Sequence, residues 1–295
     1  MNALTSMPTI PTVVQLKQGS QAWLDYRRTM RNASETAAVL GVSPWCTPYQ
    51  LWLLKTGRAE TKVTAAMQHG TDMEATAREA YERVTGIVMQ PLVMRDGPYS
   101  ASLDGCALDG DLILEIKCPY KGQASALWND AVAGRTPEYY MLQVMHQLMV
   151  SGATFAHLYV FDGANAQLLE IQRDESVMQR IRDGWDAFQV YLDTDTPPPL
   201  TDADVVQRDD AGWVAAAAAF TSAKLAADLA DQAVATARDA LVAPAKHPKE
   251  QGAGVSVTRY WKAGAVNYKA VPELKGVNLE KFRGKLREEV RVTVG

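Results

Sequence analysis

The sequence lacks the residue patterns that mark several large classes of protein. Only three of its 295 residues are cysteine, no Cys-x-x-Cys pair occurs, and four histidines are scattered along the chain. The cysteines are Cys46, Cys106 and Cys118. An odd number of widely spaced cysteines argues against a disulfide framework, a tetrahedral zinc site and a four-cysteine iron–sulfur cluster. It favours a reducing, cytoplasmic environment.

Several further signals are absent. No run of about 18 apolar residues occurs, so the sequence predicts no membrane span. The first twenty residues lack the basic start and apolar core of a signal peptide. Neither a P-loop nor a Rossmann glycine pattern is present, which argues against nucleotide hydrolysis. The net charge of −4 excludes a generally polybasic nucleic-acid coat protein, but not a DNA enzyme with local basic patches.

What the sequence has is an ordinary globular composition, with 47% hydrophobic and 22% charged residues. Apolar periodicity predicts helices, then strands, then further helices and strands. The predicted helices cover 36–40, 49–55, 65–84, 124–133, 138–150 and 175–192, and the predicted strands cover 87–94, 99–103, 112–117, 154–161 and 167–172. This order predicts an α/β (α+β) fold with a central mixed sheet flanked by helices.

The composition changes after the run of prolines at 197–199. We therefore predict a main domain over 1–196, and a proline linker with an Ala-rich long helix or helical hairpin over 197–245. A small, locally basic region follows over 246–295, where alternation at 255–258 and 290–294 predicts strands. Its lysines and arginines could form a solvated face, grip duplex DNA or provide a docking surface for a partner protein.

The sharpest chemical pattern is Asp104-Gly105, followed after Asp104 by ten residues and then Glu115-Ile-Lys117. Glu115 and Lys117 are two apart on one predicted strand, so they share a face. An antiparallel neighbouring strand that ends at Asp104 can bring the two carboxylates together. Hard oxygen ligands suit Mg²⁺, with Mn²⁺ as a substitute, and a nearby ammonium can hold or activate water.

A plainer interpretation of this pattern also exists. Asp-Gly is a common hairpin turn, and Glu-x-Lys on a strand is often a solvated salt bridge. The apolar opposite face of the predicted strand favours the chemical interpretation, because it places Glu115 and Lys117 on one side of a buried strand.

The pattern resembles the PD-(D/E)xK nucleases, and more specifically the YqaJ-type viral recombinases related to phage lambda exonuclease. Four blocks carry the resemblance in the family's order, over about residues 20–190. They are the segment from Trp23 to Gly57, the segment His69–Glu82, the Asp104 and Glu115-Ile-Lys117 pair, and the segment Tyr140–Ala153. The resemblance implies a restriction-endonuclease-like core with the C-terminal helical and small β region as an extension.

The resemblance also implies roles for individual residues. Asp104 and Glu115 would bind the metal ion, assisted by the backbone carbonyl of Ile116, with Glu74 as an additional acid. Lys117 would place the attacking water or help to deprotonate it, and Gln143 would orient water or phosphate. Separately, Arg27 and Ser34 would hold a terminal 5′ phosphate, with Ser102 as a further member of that pocket.

The function implied is a Mg²⁺-dependent 5′→3′ double-strand DNA exonuclease of phage recombination that leaves 3′ overhangs. Implied partners are double-stranded DNA ends, further copies of the chain in a trimeric ring, and a single-strand annealing protein. A phage or prophage gene expressed in bacterial cytoplasm is the implied origin. Two alternatives stay open: a structure-specific or single-strand endonuclease on the same fold, and a non-catalytic DNA-binding recombination adaptor.

Overall fold

A mixed β-sheet forms the centre of the first of two units. The computed structural model describes residues 11–265, 267, 268, 271–277 and 282, and residue contacts divide the chain into 1–205 and 206–295. Within the described residues, the sheet has seven strands. They are β1 (Thr12–Val13), β2 (Arg31–Asn32), β3 (Met89–Asp96), β4 (Tyr99–Ala107), β5 (Leu112–Lys117), β6 (Phe155–Phe161) and β7 (Ala166–Gln172).

The strand order is β1-β3-β4-β5-β6-β7, and β2 pairs with β4. The β5–β6 and β2–β4 pairs are parallel, whereas the other pairs are antiparallel. The helices of this unit are α1 (Gln21–Thr29), α2 (Thr36–Val39), α3 (Pro48–Lys55), α4 (Ala65–Thr85), α5 (Ala126–Val132), α6 (Glu138–Ser151) and α7 (Glu175–Asp193). The predicted fold class, a mixed sheet flanked by helices, is confirmed.

The two faces of the sheet bury different helices. Leu112, Leu114 and Ile116 of β5 point into a cluster that contains Ala77 and Tyr81 of α4. The other face carries the larger cluster, which takes in buried residues of α2, α3, α5, α6 and α7. Because side chains alternate along a strand, the polar residues of β5 lie on the α6 side. The strand β5 therefore has one apolar face, which packs against α4, and one face with polar side chains, which faces α6.

Local sequence signals explain several helix boundaries. Thr47 and Gln50 form a reciprocal capping box at the start of α3, with Pro48 at its first position. Gly86 ends α4 and Gly152 ends α6, and each has the positive φ that favours glycine after a helix. The two glycines fix where α4 and α6 end beside the sheet.

One expectation about the central strands is wrong. Asp104-Gly105 does not end β4, because Gly105 pairs with Leu114, Cys106 pairs with Ile113, and the strand continues to Ala107. A Cβ atom on Gly105 would lie 2.7 Å from the Cβ of Met89. The glycine is thus explained by the close approach of β3 rather than by a turn. The turn comes later, over 108–111.

The first unit extends past the proline run. Thr47 donates a hydrogen bond of 2.6 Å to Asp204, and the first of the two units ends at Val205. The side-chain contact attaches this stretch to the N-terminus of α3.

The second unit contains α8 (Ala211–Val242) and a hairpin of β8 (Lys249–Gly252) and β9 (Val255–Thr258). The Ala-rich segment is therefore one continuous helix of 32 residues, and the strand predicted at 255–258 is present. The strand predicted at 290–294 lies outside the described residues. In the part of the chain that the structure describes, no helix is long and apolar enough to cross a membrane.

Candidate active site

The centre of β4 and β5 brings the predicted chemical residues together. The antiparallel register of β4 and β5 pairs Gly105 with Leu114. The next residues in this register are Asp104 on β4 and Glu115 on β5, which therefore lie side by side. The backbone N–H of Ile116 donates a hydrogen bond of 2.7 Å to Oδ2 of Asp104. Strand pairing therefore fixes the Asp104 carboxylate against the Glu115-Ile-Lys117 segment.

Glu115 is the most enclosed member of the group, with only 2% of its surface exposed. Its Oε1 accepts hydrogen bonds from Nζ of Lys117 and, at 2.6 Å, from Nε2 of Gln143. Its Oε2 accepts a hydrogen bond from Nε2 of Gln147. A buried carboxylate needs such partners, and here two amides of α6 and one ammonium supply them.

Lys117 lies at the rim of this arrangement, with 22% of its side chain exposed. Its Nζ also lies 3.5 Å from Oε1 of Gln143 and 4.9 Å from the ring centroid of Tyr140. Burial opposes the charge of the ammonium, but the Glu115 carboxylate, with smaller contributions from Tyr140 and Asp104, raises the pKa of Lys117 above its ordinary value. The group is thus an ammonium held between α6 and the two strands.

Glu74 approaches from α4, which packs on the opposite face of the sheet. Arg78, one helical turn later, lies 3.7 Å from Glu74 and donates a hydrogen bond of 3.0 Å to the backbone carbonyl of Asp104. Burial, followed by the charges of Glu115 and Glu74, raises the pKa of Asp104 well above its ordinary value. Burial also raises the pKa of Glu74, against the opposing effect of Arg78. The three carboxylates therefore form one zone of mutual repulsion.

This zone fits a hard divalent cation in its donor chemistry and charge. Asp104 and Glu115 offer carboxylate oxygens, and their repulsion is the condition that a cation relieves. Among the described residues, however, no three His, Cys, Asp or Glu side chains have the spacing of a formed metal site. The carboxylate oxygens of Glu115 are instead engaged by Lys117, Gln143 and Gln147.

The residues predicted to hold a phosphate form a second group. Nη2 of Arg27 donates a hydrogen bond of 2.8 Å to Oγ of Ser34, whose side chain is exposed. Trp23 joins Ser102 to this group, because its ring lies 4.6 Å below the Arg27 guanidinium and its indole N–H donates 3.0 Å to Oγ of Ser102. Glu35 lies 3.6 Å from Arg27. A half-buried arginine beside an exposed serine, with a tryptophan ring against the guanidinium, can bind an anion.

The two groups are connected through β4 and α6. Gln147 donates from Nε2 both to Glu115 and, at 3.3 Å, to the backbone carbonyl of Ser102. The sequence analysis assigned no role to Gln147, Trp23 or Arg78. The signal for Gln147 was present, since it follows Gln143 by four residues on the predicted helix and so shares its face.

Comparison with known proteins adds to this geometry. Residues 22–154 match the family model described as the YqaJ-like viral recombinase domain. We call residues 22–154, which are similar to this family, the YqaJ-like domain. This YqaJ-like domain contains all nine residues predicted for the site, from Arg27 to Gln143. It includes β5 and all of α6, which together surround Glu115.

A curated relative covers a similar stretch. The uncharacterized protein YqaJ of Bacillus subtilis (strain 168) is 30% identical over 170 residues, which are 54% of this chain. The chain spans about half the length of that relative, 52%.

Solved structures share the fold of the YqaJ-like domain. The alkaline exonuclease LHK-Exo of Laribacter hongkongensis superposes with a TM-score of 0.52 at 23% identity, over 60% of this chain and 94% of that protein. Its complex with dAMP gives 0.51 at 22% identity, with the same coverage. These matches show that the core of this chain shares its fold with the two exonuclease structures.

Proposed function

We propose that the chain is a Mg²⁺-dependent exonuclease that digests the 5′-ended strand of double-stranded DNA and leaves a 3′ overhang. The observation that carries this proposal is the contact of Glu115 with Lys117 and Gln143, beside Asp104. The similarity of residues 22–154 to the YqaJ-like viral recombinase domain supports a role in recombination.

The side chains divide the work of phosphodiester hydrolysis. Asp104 and Glu115 would hold the cation, with Glu74 and the carbonyl of Ile116 as further oxygen donors. A divalent cation, when bound, stabilises charge on the scissile phosphate and acidifies the attacking water. The Lys117 ammonium can donate hydrogen bonds to that water or to a phosphate oxygen, and Gln143 holds Lys117 and Glu115 in place.

The Arg27–Ser34 pair supports action at DNA ends. A guanidinium can bind a terminal phosphate with two parallel hydrogen bonds, and the Ser34 hydroxyl already contacts Nη2 of Arg27. A terminal phosphate exists only at a strand end. An enzyme that requires this contact would therefore act on linear duplexes and not on closed circles.

An end-labelled duplex tests this proposal. The full chain is incubated with linear duplexes that carry a 5′ phosphate or a 5′ hydroxyl, and with closed circular DNA, in Mg²⁺, Mn²⁺ or EDTA. We expect release of mononucleotides from the 5′-phosphorylated strand in either metal, slower release from the hydroxyl end, and none in EDTA. Circles cut as fast as linear ends would contradict exonuclease action, and digestion in EDTA would contradict the metal requirement.

A trimeric ring around DNA and binding of a single-strand annealing protein complete the proposal. Sedimentation of the full chain measures the first, and co-purification with an annealing protein supplied in pure form measures the second. A monomer at all concentrations would remove the ring from the account and leave the nuclease chemistry in place.

A further inference from the structure

Three aromatic side chains form a cluster at the edge of the candidate active site. Trp45 lies in the loop between α2 and α3, and its ring centroid is 4.9 Å from that of Tyr139 and 5.9 Å from that of Tyr140. The two tyrosine centroids are 4.6 Å apart. We call these three side chains the aromatic cluster.

The cluster is open to solvent at one end and joins the site at the other. Trp45 is 67% exposed, which is unusual for so large an apolar side chain. At the opposite end, Nζ of Lys117 lies 4.9 Å from the Tyr140 ring centroid. The cluster thus extends from the proposed water-positioning ammonium to an exposed indole.

The loop that carries Trp45 is held in place although the ring is exposed. The backbone N–H of Trp45 donates to Oγ of Ser43, and Thr47 caps α3 immediately afterwards. Tyr139 and Tyr140 lie in the first turn of α6, the helix that also supplies Gln143. The indole is therefore fixed relative to the site by two elements and is not a side chain on a free loop.

We propose that the aromatic cluster stacks a nucleobase of the nucleotide next to the scissile phosphate. This inference rests on the proposed function and names the part of the DNA that the site binds. A phosphate at Lys117 leaves the attached base within reach of the cluster, because Tyr140 is in contact with that ammonium.

Charge and chemistry favour a nucleobase as the occupant. The cluster offers ring faces and edges, and the Lys117 ammonium against Tyr140 complements the phosphate of the same nucleotide. Stacking of a base on an aromatic ring tolerates every base, as a nuclease that degrades any sequence requires. A base held here is also withdrawn from its pair, which presents the strand to the site.

Measurements of DNA binding in the absence of catalysis test whether the aromatic cluster stacks a base. The wild-type chain and Trp45→Ala bind duplexes labelled at the far end, in EDTA, with an intact or an abasic residue at the first or second nucleotide of the 5′-ended strand. We expect removal of one of these bases to weaken wild-type binding about five- to 100-fold. Trp45→Ala should lose most of this dependence.

Two further variants make the comparison specific. Trp45→Phe keeps a ring and should keep most of the dependence on the base. Trp213→Ala removes a comparably exposed tryptophan of α8, 51% exposed, and should leave the dependence unchanged. Base stacking on the aromatic cluster would be overturned if base removal at both positions weakened binding equally in the wild type and Trp45→Ala. Failure of the wild type to bind any duplex end would also overturn it.

The same preparations separate this inference from the proposed function. If the wild type digests linear duplex in Mg²⁺ but the base has no Trp45-dependent effect on binding, base stacking on the aromatic cluster is rejected and the proposed nuclease function stands. A Trp45-dependent effect of the base without any digestion rejects the nuclease and keeps a base-binding surface.

Discussion

Gly105→Ala should destabilise the YqaJ-like domain, because the site between β3 and β5 has no room for a methyl group. The new Cβ would lie 2.7 Å from Cβ of Met89 and 3.2 Å from Cβ of Leu114. Both neighbours are the first side-chain atoms of buried strand residues, so neither can move without its backbone. The strands themselves must separate by several tenths of an ångström.

The size of the effect follows from comparison with other overpacked cores. Insertion of one methyl group into a well-packed interior costs about 1–3 kcal/mol. We expect about 2 kcal/mol here, which corresponds to a fall in Tm of roughly 4–8 °C for a unit of this size. Gly70→Ala is the matched control, because a Cβ there meets nothing within 4 Å and the residue lies inside α4. It should raise stability by about 0.5–1 kcal/mol.

Urea unfolding of the full chain, followed by far-UV circular dichroism and tryptophan fluorescence, measures both variants against the wild type. Both substitutions add the same methyl group. Changes of opposite sign in the free energy of unfolding would therefore show that crowding at Gly105 causes the loss. A change in Gly105→Ala smaller than about 0.5 kcal/mol, the level of a neutral surface substitution, would refute the packing argument.

Three further predictions concern single side chains. Gln147→Leu removes a donor to the buried Glu115 carboxylate and should lower the free energy of unfolding by about 1.5–3 kcal/mol in urea; no change would contradict that contact. Burial lowers the pKa of His146 to about 3, so the unfolded chain binds more protons between pH 6.5 and 3. As the pH decreases through this range, His146 should lower the free energy of unfolding by about 1.4 kcal/mol per pH unit. His146→Gln should therefore show a smaller pH dependence of stability than the wild type, and an equal dependence would contradict the role of His146. Arg27→Lys should reduce the rate preference for 5′-phosphorylated over hydroxyl ends about tenfold, whereas Arg28→Lys, an exposed neighbour, should not.

The sequence predicted the parts of the fold that have strong periodicity. The helix over 65–84 and the strand over 112–117 match α4 and β5 closely, because each has a long apolar face and a clear stop. The two-residue strands β1 and β2 were not predicted, since two residues carry no period. Their pairing depends on partners far along the chain.

The Asp104-Gly105 pair shows where local reasoning fails. The dipeptide is typical of a hairpin turn, yet a glycine is equally required where two strands approach closely, and sequence alone does not separate these causes. The structure shows the second. The prediction that Asp104 lies beside Glu115 holds nonetheless, because it depends on the register of β4 and β5 and not on where β4 ends.

The contacts between distant segments account for most of what sequence reasoning missed. Gln147 contacts Glu115 across 32 residues, and Trp23 contacts Ser102 across 79. Neither residue type announces a role by itself, since a glutamine or tryptophan on a helix is usually a packing or surface residue. Only the fold makes the first a partner of a buried carboxylate and the second a link between Arg27 and Ser102.

The central claim is that Glu115 and Lys117 perform phosphodiester hydrolysis, and digestion of a 5′-phosphorylated duplex by four variants tests it most directly. Glu115→Gln and Lys117→Ala are compared with Glu170→Gln, an exposed carboxylate on β7 of the same sheet, and with Lys121→Ala, an exposed lysine just after β5. We predict that the first two lose at least about 100-fold in rate in Mg²⁺ while circular dichroism shows them folded. The two controls should stay within about twofold of the wild type. Digestion at the wild-type rate by Glu115→Gln or Lys117→Ala would contradict the account.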